Sequence, residues 1–362
     1  MYRYLILSII SILVITSPVS AGLVQFWPGA GSIGSTDVRD ICDGTKGDIY
    51  FATTNGISIY DGEKWEILHA LPKDRRGYLE GIPLNDYVLE IELDHLNRMW
   101  LGYSNGIQIY NGYSKPFTIR QPDEILTEVS INKLKRQDKI MWIATGDSGI
   151  YYYYNGRFTW IQPGKETGLT GNHIMDIEVD YSNGALYLAS SSNGQFIYDG
   201  GMQGLENITF KKLSHPLVAE DMTGIVSHPE GGVVFFNDTD VVYYSGPSHV
   251  GHIFNVKDLS GDTNRINDVA ITNSGRYLAG TGNGIFYWYK GDDLRYLTKY
   301  DGLSDYKVKT VFVDNDGRCW FTTKKTAGYF FEPEFIAHSS IELDPDSYNQ
   351  GYPLVSTVLS GI

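Results

Sequence analysis

Ile49-Tyr50-Phe51-Ala52-Thr53-Thr54-Asn55-Gly56-Ile57-Ser58-Ile59-Tyr60-Asp61-Gly62 reads as an apolar run, a tight Asn-Gly reversal, a second apolar run ending in an aromatic ring, and a closing glycine. Such a stretch predicts two short strands of one hairpin, because Asn and Gly tolerate the positive φ that a tight reversal needs. The same pattern returns as MWLGYSNGIQIYNG (99–112), MWIATGDSGIYYYYNG (141–156), LYLASSSNGQFIYDG (186–200), VVFFNDTDVVYYSG (233–246), YLAGTGNGIFYWYKG (277–291) and CWFTTKKTAGYFF (319–331). Anchored on Gly56, Gly106, Gly149, Gly194, Asp240, Gly284 and Gly328, the copies lie 50, 43, 45, 46, 44 and 44 residues apart. Repeats of that length with several short strands each are the signature of propeller blades.

Working outward from the hairpin supplies the other strands of each unit. Upstream stands an inner strand such as Ile174–Asp180, turned at Tyr181-Ser182-Asn183-Gly184 into Leu186–Ala189. Downstream stands an aromatic outer strand, as in Lys64–Ile67 or Arg157–Trp160. The expected fold is therefore all-β, a seven-bladed β-propeller of four-stranded antiparallel blades. After Phe331 no fourth strand follows, but Leu23-Val24-Gln25-Phe26-Trp27-Pro28 carries the outer-strand pattern and is expected to pair onto the last blade and close the ring.

Composition agrees with many short strands. The 362 residues include 40 Gly, 27 Tyr and 7 Trp, and at 42% hydrophobic and 20% charged the chain is no disordered protein. A formal charge of −14 argues against nucleic acid, whose binding depends on neutralising phosphates with Lys and Arg. Residues 1–21 read as a signal peptide: Arg3, an apolar run from Leu5 to Thr16, then Val19-Ser20-Ala21 ahead of Gly22. Twelve apolar residues make about 18 Å of helix, short of a roughly 30 Å bilayer core. The expected organisation is signal peptide 1–21, propeller 22–332 and a C-terminal tail 333–362 without repeat pattern, in a protein exported to the periplasm, the cell surface or the medium.

The repeats resemble those of the two-component regulator propeller family, found in extracytoplasmic sensor regions of histidine kinases and in related secreted proteins. The shared pattern is an apolar strand ending in Asp, a Gly turn, a Trp-containing second strand, x-Asn-Gly-Ile, then Tyr-Asp/Asn-Gly. Asp301-Gly302-Leu303-Ser304-Asp305 and Thr167–Asn172 are similar to its blade connector, and Asp314–Thr322 to its central segment. The resemblance spans about residues 23–332 and implies an extracytoplasmic sensor-type propeller. Blade 5 departs from it, with Val234 where Trp would stand and Asp240 where Gly would, so its turn is expected to be distorted.

Candidate chemistry is sparse. Asp314-Asn315-Asp316-Gly317 looks like the start of a calcium loop but lacks the later ligands, and the corresponding segments of other blades are plain hairpin turns. His249 and His252 are close enough in sequence to share a metal, but the other histidines are scattered; no metal site, catalytic residue or cofactor is expected. Cys42 and Cys319 fall on neighbouring blades, where they would be either one bridge or two buried thiols.

A ligand site is expected on the face bearing the entrances to the inner strands. The residues just before each first apolar anchor are Asp37, Tyr87, Ser130, His173, Asp221, Arg265 and Lys307, a polar ring of mixed charge. Two positions past the anchor stand Asp40, Glu90, Lys133, Asp176, Gly224, Asp268 and Thr310, whose four acids suit either a cation in the channel or bonds to neighbouring amides. Tyr103, where other blades have Thr53, Thr145, Thr281 or Thr323, is expected to project its phenol onto this face, and the long first connector brings Lys73, Arg75, Arg76 and Tyr78. The predicted ligand-binding set is Arg75, Arg76, Tyr78, Tyr87, Tyr103, His173, Arg265 and Lys307. It suits a small polar ligand such as a saccharide or organic acid, and a membrane-bound signalling protein is the alternative partner. Two other classes stay open. One is a propeller lyase or dehydrogenase using His173, Asp176, Glu90 and Arg265; the other is a cell-surface structural protein, with which the sequons at Asn207 and Asn237 are compatible.

Overall fold

The computed structural model describes residues 22–70, 83–110, 117–118, 129–190, 193–257, 265–289 and 295–331. Within them lie seven antiparallel sheets of four strands, set as blades around a ring. Blade 1 comprises Val38–Asp43, Ile49–Thr53, Gly56–Tyr60 and Trp65–Leu68, from axis to rim. The inner strands of blades 2 to 7 are Glu90–Leu93, Ile131–Gln137, Asp176–Asp180, Gly224–Ser227, Ile266–Ile271 and Val308–Val313. In blade 7 the outer position is taken by Val24–Phe26, paired antiparallel with Ala327–Phe331 so that Val24 faces Tyr329 and Phe26 faces Ala327. Among the described residues no helix is long and apolar enough to cross a membrane. The signal-peptide and tail segments, 1–21 and 333–362, lie outside the described residues.

Each blade is covered on both sides, which explains why its middle strands read as unbroken apolar runs: Ile140–Thr145 and Ala185–Ser190 are buried at every position. Seven hydrophobic clusters fill the seven gaps between blades, one of them joining blade 7 to blade 1 through Trp320, Phe51, Tyr60 and Phe26. A buried indole needs a partner for its N–H. Trp100 and Trp320 donate to Asp94 and Asp314 (3.0 and 2.7 Å), and Trp142 donates to Gln137 (2.8 Å). The same aspartates accept backbone N–H groups of the hairpin that joins the first two strands, Leu96 and Arg98 in blade 2, Asp316 and Arg318 in blade 7. Asp314 is thus a structural hub of its turn, and the segment forms the hairpin turn that its counterparts in other blades form.

The Asn-Gly reversals need glycine for two reasons. Gly56 has φ 87°, and a Cβ there would stand 2.2 Å from the carbonyl oxygen of Leu68, where the outer strand crosses the turn. Blade 5 solves the turn otherwise. Non-glycine positive φ among the described residues is confined to Asn97, Asp138 and Asn155, so Asp240 avoids it, and a bulge between Val241 and Val242 absorbs the change against Val250–Asn255.

No disulfide joins Cys42 and Cys319. Although their blades adjoin, the two thiols face away from each other: Cys42 packs between blades 1 and 2, and Cys319 between blades 6 and 7. Burial, then the acids Glu92, Asp40 and Asp43, push the Cys42 thiol well above its ordinary value. Both cysteines are expected to resist iodoacetamide in the native protein and to be alkylated in denaturant without prior reduction. Mass spectrometry showing an unalkylated pair in non-reduced, denatured protein would establish a bridge instead.

Candidate functional site

The entrance face is built by the residues that enter each inner strand together with the turns between second and third strands. Backbone bonds fix this: Thr54 N donates to Asp37 O, Gly146 N to Ser130 O, and Ile266 N to Asp238 O. Of the predicted ring, Tyr87, His173, Asp221, Arg265 and Lys307 are exposed, and Asp37 and Ser130 are half-buried. Tyr87, 41% exposed, lies beneath the guanidinium of Arg39, whose Cζ is 5.2 Å from the ring centroid. Arg39 Nη2 also reaches Asp37 at 3.1 Å, and Lys309 Nζ donates to the other oxygen of Asp37 at 3.0 Å. Partial burial opposes ionisation of Asp37, but the hydrogen bond and charge of Lys309, then those of Arg39, hold its carboxyl below the ordinary aspartate value. Blades 1, 2 and 7 therefore present an aromatic ring, two cations and an anion side by side.

The remaining predicted residues sort differently. His173 stands at the mouth with Nε2 2.9 Å from Met175 Sδ. Arg265 pairs with Asp238 in the blade 5 turn, and Lys307 takes a backbone contact with Asp305. Arg75, Arg76 and Tyr78 lie outside the described residues. Tyr103 corrects the expectation: it is only 4% exposed, inside the cluster between blades 1 and 2, so it offers no platform. Its hydroxyl donates to Gln108 Oε1 at 2.7 Å and accepts from Leu84 N at 3.2 Å, pinning the end of the first connector. The reason is positional. Thr53, Thr145 and Thr281 at the equivalent sites point inward and donate to carbonyls of their own turns, so a tyrosine there must also point inward.

Below the entrance the second ring shows what the four acids do. Asp40, Asp176 and Asp268 each accept a backbone N–H from the next blade, those of Ile91, Ile225 and Val311, at 3.0, 2.8 and 2.9 Å. The cation at their centre is the chain's own: Lys133 Nζ lies 2.7 Å from Asp40 Oδ1 and 3.2 Å from Glu90 Oε2. Burial, then the charge of Asp40, pushes Glu90 well above the ordinary glutamate value. Burial also raises Asp176 to about 6 and Asp268 to about 7, against the pull of Lys133 and of their amide donors. A third tier follows, where Lys135 pairs with Glu178 at 2.8 Å and burial raises Glu92.

Asp176 is committed to the amides of Ile177 and Ile225, Glu90 to Lys133, and Arg265 to Asp238, while His173 contacts Met175. Among the described residues no cluster of His, Cys, Asp and Glu can hold a metal ion. His252 instead pairs with Asp240 at 3.1 Å. Of the two sequons, Asn207 is exposed, but Asn237 is buried, with Nδ2 on Asp221 and Oδ1 accepting from the amides of Thr239 and Asp240. Sequence reasoning missed Arg39, Lys309 and Asp238, each a partner of a residue it named; opposite charges at neighbouring ring positions were the available signal.

No family model and no curated protein matches the chain in sequence. Solved structures match in shape. The extracellular domain of BT3049 from B. thetaiotaomicron, assigned to a hybrid two-component system, superposes with TM-score 0.69 at 15% identity over 86% of this chain and 41% of its own. That of BT4673 from the same organism gives 0.66 at 17% identity over 85% and 40%. Virginiamycin B lyase from Staphylococcus aureus, solved with quinupristin, gives 0.63 at 14% identity over 86% and 99%. The chain spans about two fifths of the two sensor structures, and at these identities the likeness establishes a shared fold and nothing finer.

Proposed function

We propose that this protein is an exported propeller that binds a small polar ligand, a saccharide or an organic acid, on its entrance face and serves as a sensing or protein-binding module. The observation carrying this reading is the group formed by Tyr87, Arg39, Asp37 and Lys309: an exposed ring for stacking beside fixed donors and an acceptor, at the mouth of the axial channel. Exposed His173, Arg265 and Lys307 extend it around the same mouth. Such a surface discriminates because a ligand that leaves its polar groups unpaired loses their hydrogen bonds. The fold shared with extracellular domains of two-component systems supports a location outside the cytoplasm and a membrane-bound signalling protein as the receiver of the binding event. The lyase of the same fold is the ground for the alternative enzyme reading, but of the residues weighed for it Asp176 is held by the amides of Ile177 and Ile225 and Glu90 by Lys133.

The test is a thermal-shift screen against neutral and acidic saccharides and small mono- and dicarboxylates, followed by titration of any stabilising compound. Tyr87→Ala and Arg265→Ala are each expected to weaken its binding at least about tenfold, roughly 1.4 kcal/mol, with melting temperature unchanged. The reading fails if no compound in the screen stabilises the protein, or if both variants bind as the parent does.

A further inference from the structure

The axial ring confines five ionisable groups from five blades around one point: Asp40 from blade 1, Glu90 from blade 2, Lys133 from blade 3, Asp176 from blade 4 and Asp268 from blade 6. Blade 5 contributes Gly224 and blade 7 Thr310, neither charged. With every group ionised, four carboxylates would share one ammonium at a place where Asp40 and Glu90 are buried and Lys133, Asp176 and Asp268 are half-buried. The neighbouring tiers do not relieve this. Above, Lys309 and Arg39 are taken by Asp37; below, Lys135 is taken by Glu178 beside a further acid, Glu92.

The four carboxyls are also unequally served. Asp176 and Asp268 each accept two backbone N–H groups, and Asp40 accepts one besides Lys133. Glu90 is 8% exposed, and its Oε2 has for partner only the ammonium of Lys133, 3.2 Å away and held more closely by Asp40 at 2.7 Å. A buried carboxyl that shares its one cation and has no backbone donor, inside a ring with excess negative charge, is the place where a proton is held most favourably.

We propose that the axial ring is a proton-binding site, which holds at least one proton at neutral pH, centred on Glu90 and its carboxylate neighbours, so that deprotonation loosens the contacts among blades 1 to 4 and 6. The raised carboxyls fix the sign. A carboxyl that titrates higher in the folded than in the unfolded chain contributes stability that is full below about pH 4 and is lost as the pH rises through its folded value, near 6 for Asp176 and 7 for Asp268. The ring is thus a device by which alkalinisation weakens the scaffold, independent of what the entrance face binds.

Glu90→Gln tests it, because glutamine keeps the shape of the protonated acid and cannot ionise. The folding equilibrium constant from urea titration is compared for parent and variant at pH 5 and pH 8. The ratio of variant to parent is expected to rise at least about tenfold between the two pH values, the change that follows when one carboxyl holds its proton about fifty times more tightly in the folded than in the unfolded chain. Carbon NMR of the side-chain carboxyls in the parent is the second measurement, and it decides alone should the variant not fold. At least one Asp or Glu carboxyl is expected to titrate with a midpoint at or above about pH 7. A ratio independent of pH, or carboxyl midpoints that all lie below that value, overturns the proposal.

Discussion

Asp314→Ala is expected to lower the stability of the ring by about 3–5 kcal/mol, among the largest effects of any single substitution in this chain. The carboxylate is fully buried and feeds four donors: the indole N–H of Trp320 at 2.7 Å, Nε of Arg318 at 2.5 Å, and the backbone N–H groups of Asp316 and Arg318 at 3.0 and 2.8 Å. Alanine would leave the Arg318 guanidinium, itself nearly buried, with Gly47 O, the exposed Asp316 and the rings of Trp320 and Tyr329. It would also strand an indole in the cluster that joins the last blade to the first. Removing one member of a buried ion pair costs more than the pair contributes, since the other charge stays buried and uncompensated. Asp94→Ala is the matched control. It deletes the same bonds to Trp100 and Arg98 in blade 2, but Arg98 is more exposed and can turn to water, so a smaller loss is expected. Urea denaturation of the three proteins checks this, and a loss below about 1 kcal/mol for Asp314→Ala would show that the hub is dispensable.

This hub also marks what the sequence discloses and what it hides. Repeat length, Asn-Gly turns and the recurrent Trp and Tyr positions are local chemistry, so the seven blades are legible from spacing alone. The roles of Asp94 and Asp314 are half-legible, because Asp and Trp recur at a fixed separation of six residues, which puts the indole over the turn. The channel was harder. The inner strands of blades 1, 3, 6 and 7 carry a bulge between Val38 and Asp40, Ile131 and Lys133, Ile266 and Asp268, and Val308 and Thr310, and each bulge resets the alternation of side chains. A simple two-residue period therefore places the ring residues in sequence but not the direction in which each carboxylate points. Nor does it show that Lys133 crosses blade 2 to reach Asp40. Tyr103 was misread for a different reason: an unusual residue at a repeat position looked like a departure toward the surface, whereas the threonines it replaces already pointed inward. The position, not the residue type, fixed its direction.

Deleting residues 22–30 is the second large effect, because the segment supplies to blade 7 what each other blade takes from its own sequence. Val24–Phe26 occupies the outer position against Ala327–Phe331. Leu23 packs against the cluster between blades 6 and 7, and Phe26 against the one between blades 7 and 1, where its ring lies 5.2 Å from Tyr60 and 5.1 Å from Trp65. Gln25 stitches the strand to the connector, donating to Gly302 O at 2.8 Å and accepting from Ser304 N at 2.9 Å. Fully burying a Phe side chain is worth about 1.5–3 kcal/mol, of which the half-buried Phe26 contributes about half, each hydrogen bond contributes about 1, and the bared strand becomes an open edge prone to pairing with other molecules. The truncated protein is expected to lose at least about 4 kcal/mol and to aggregate on heating. Gln25→Ala, which removes only the stitch, is expected to lose about 1–2 kcal/mol and stay monodisperse. Equal melting temperatures for the truncation and the parent would mean that blade 7 holds with three strands and that the N-terminal strand is not what closes the ring; a large loss together with a mild Gln25→Ala would assign the closure to the strand pairing and to Phe26.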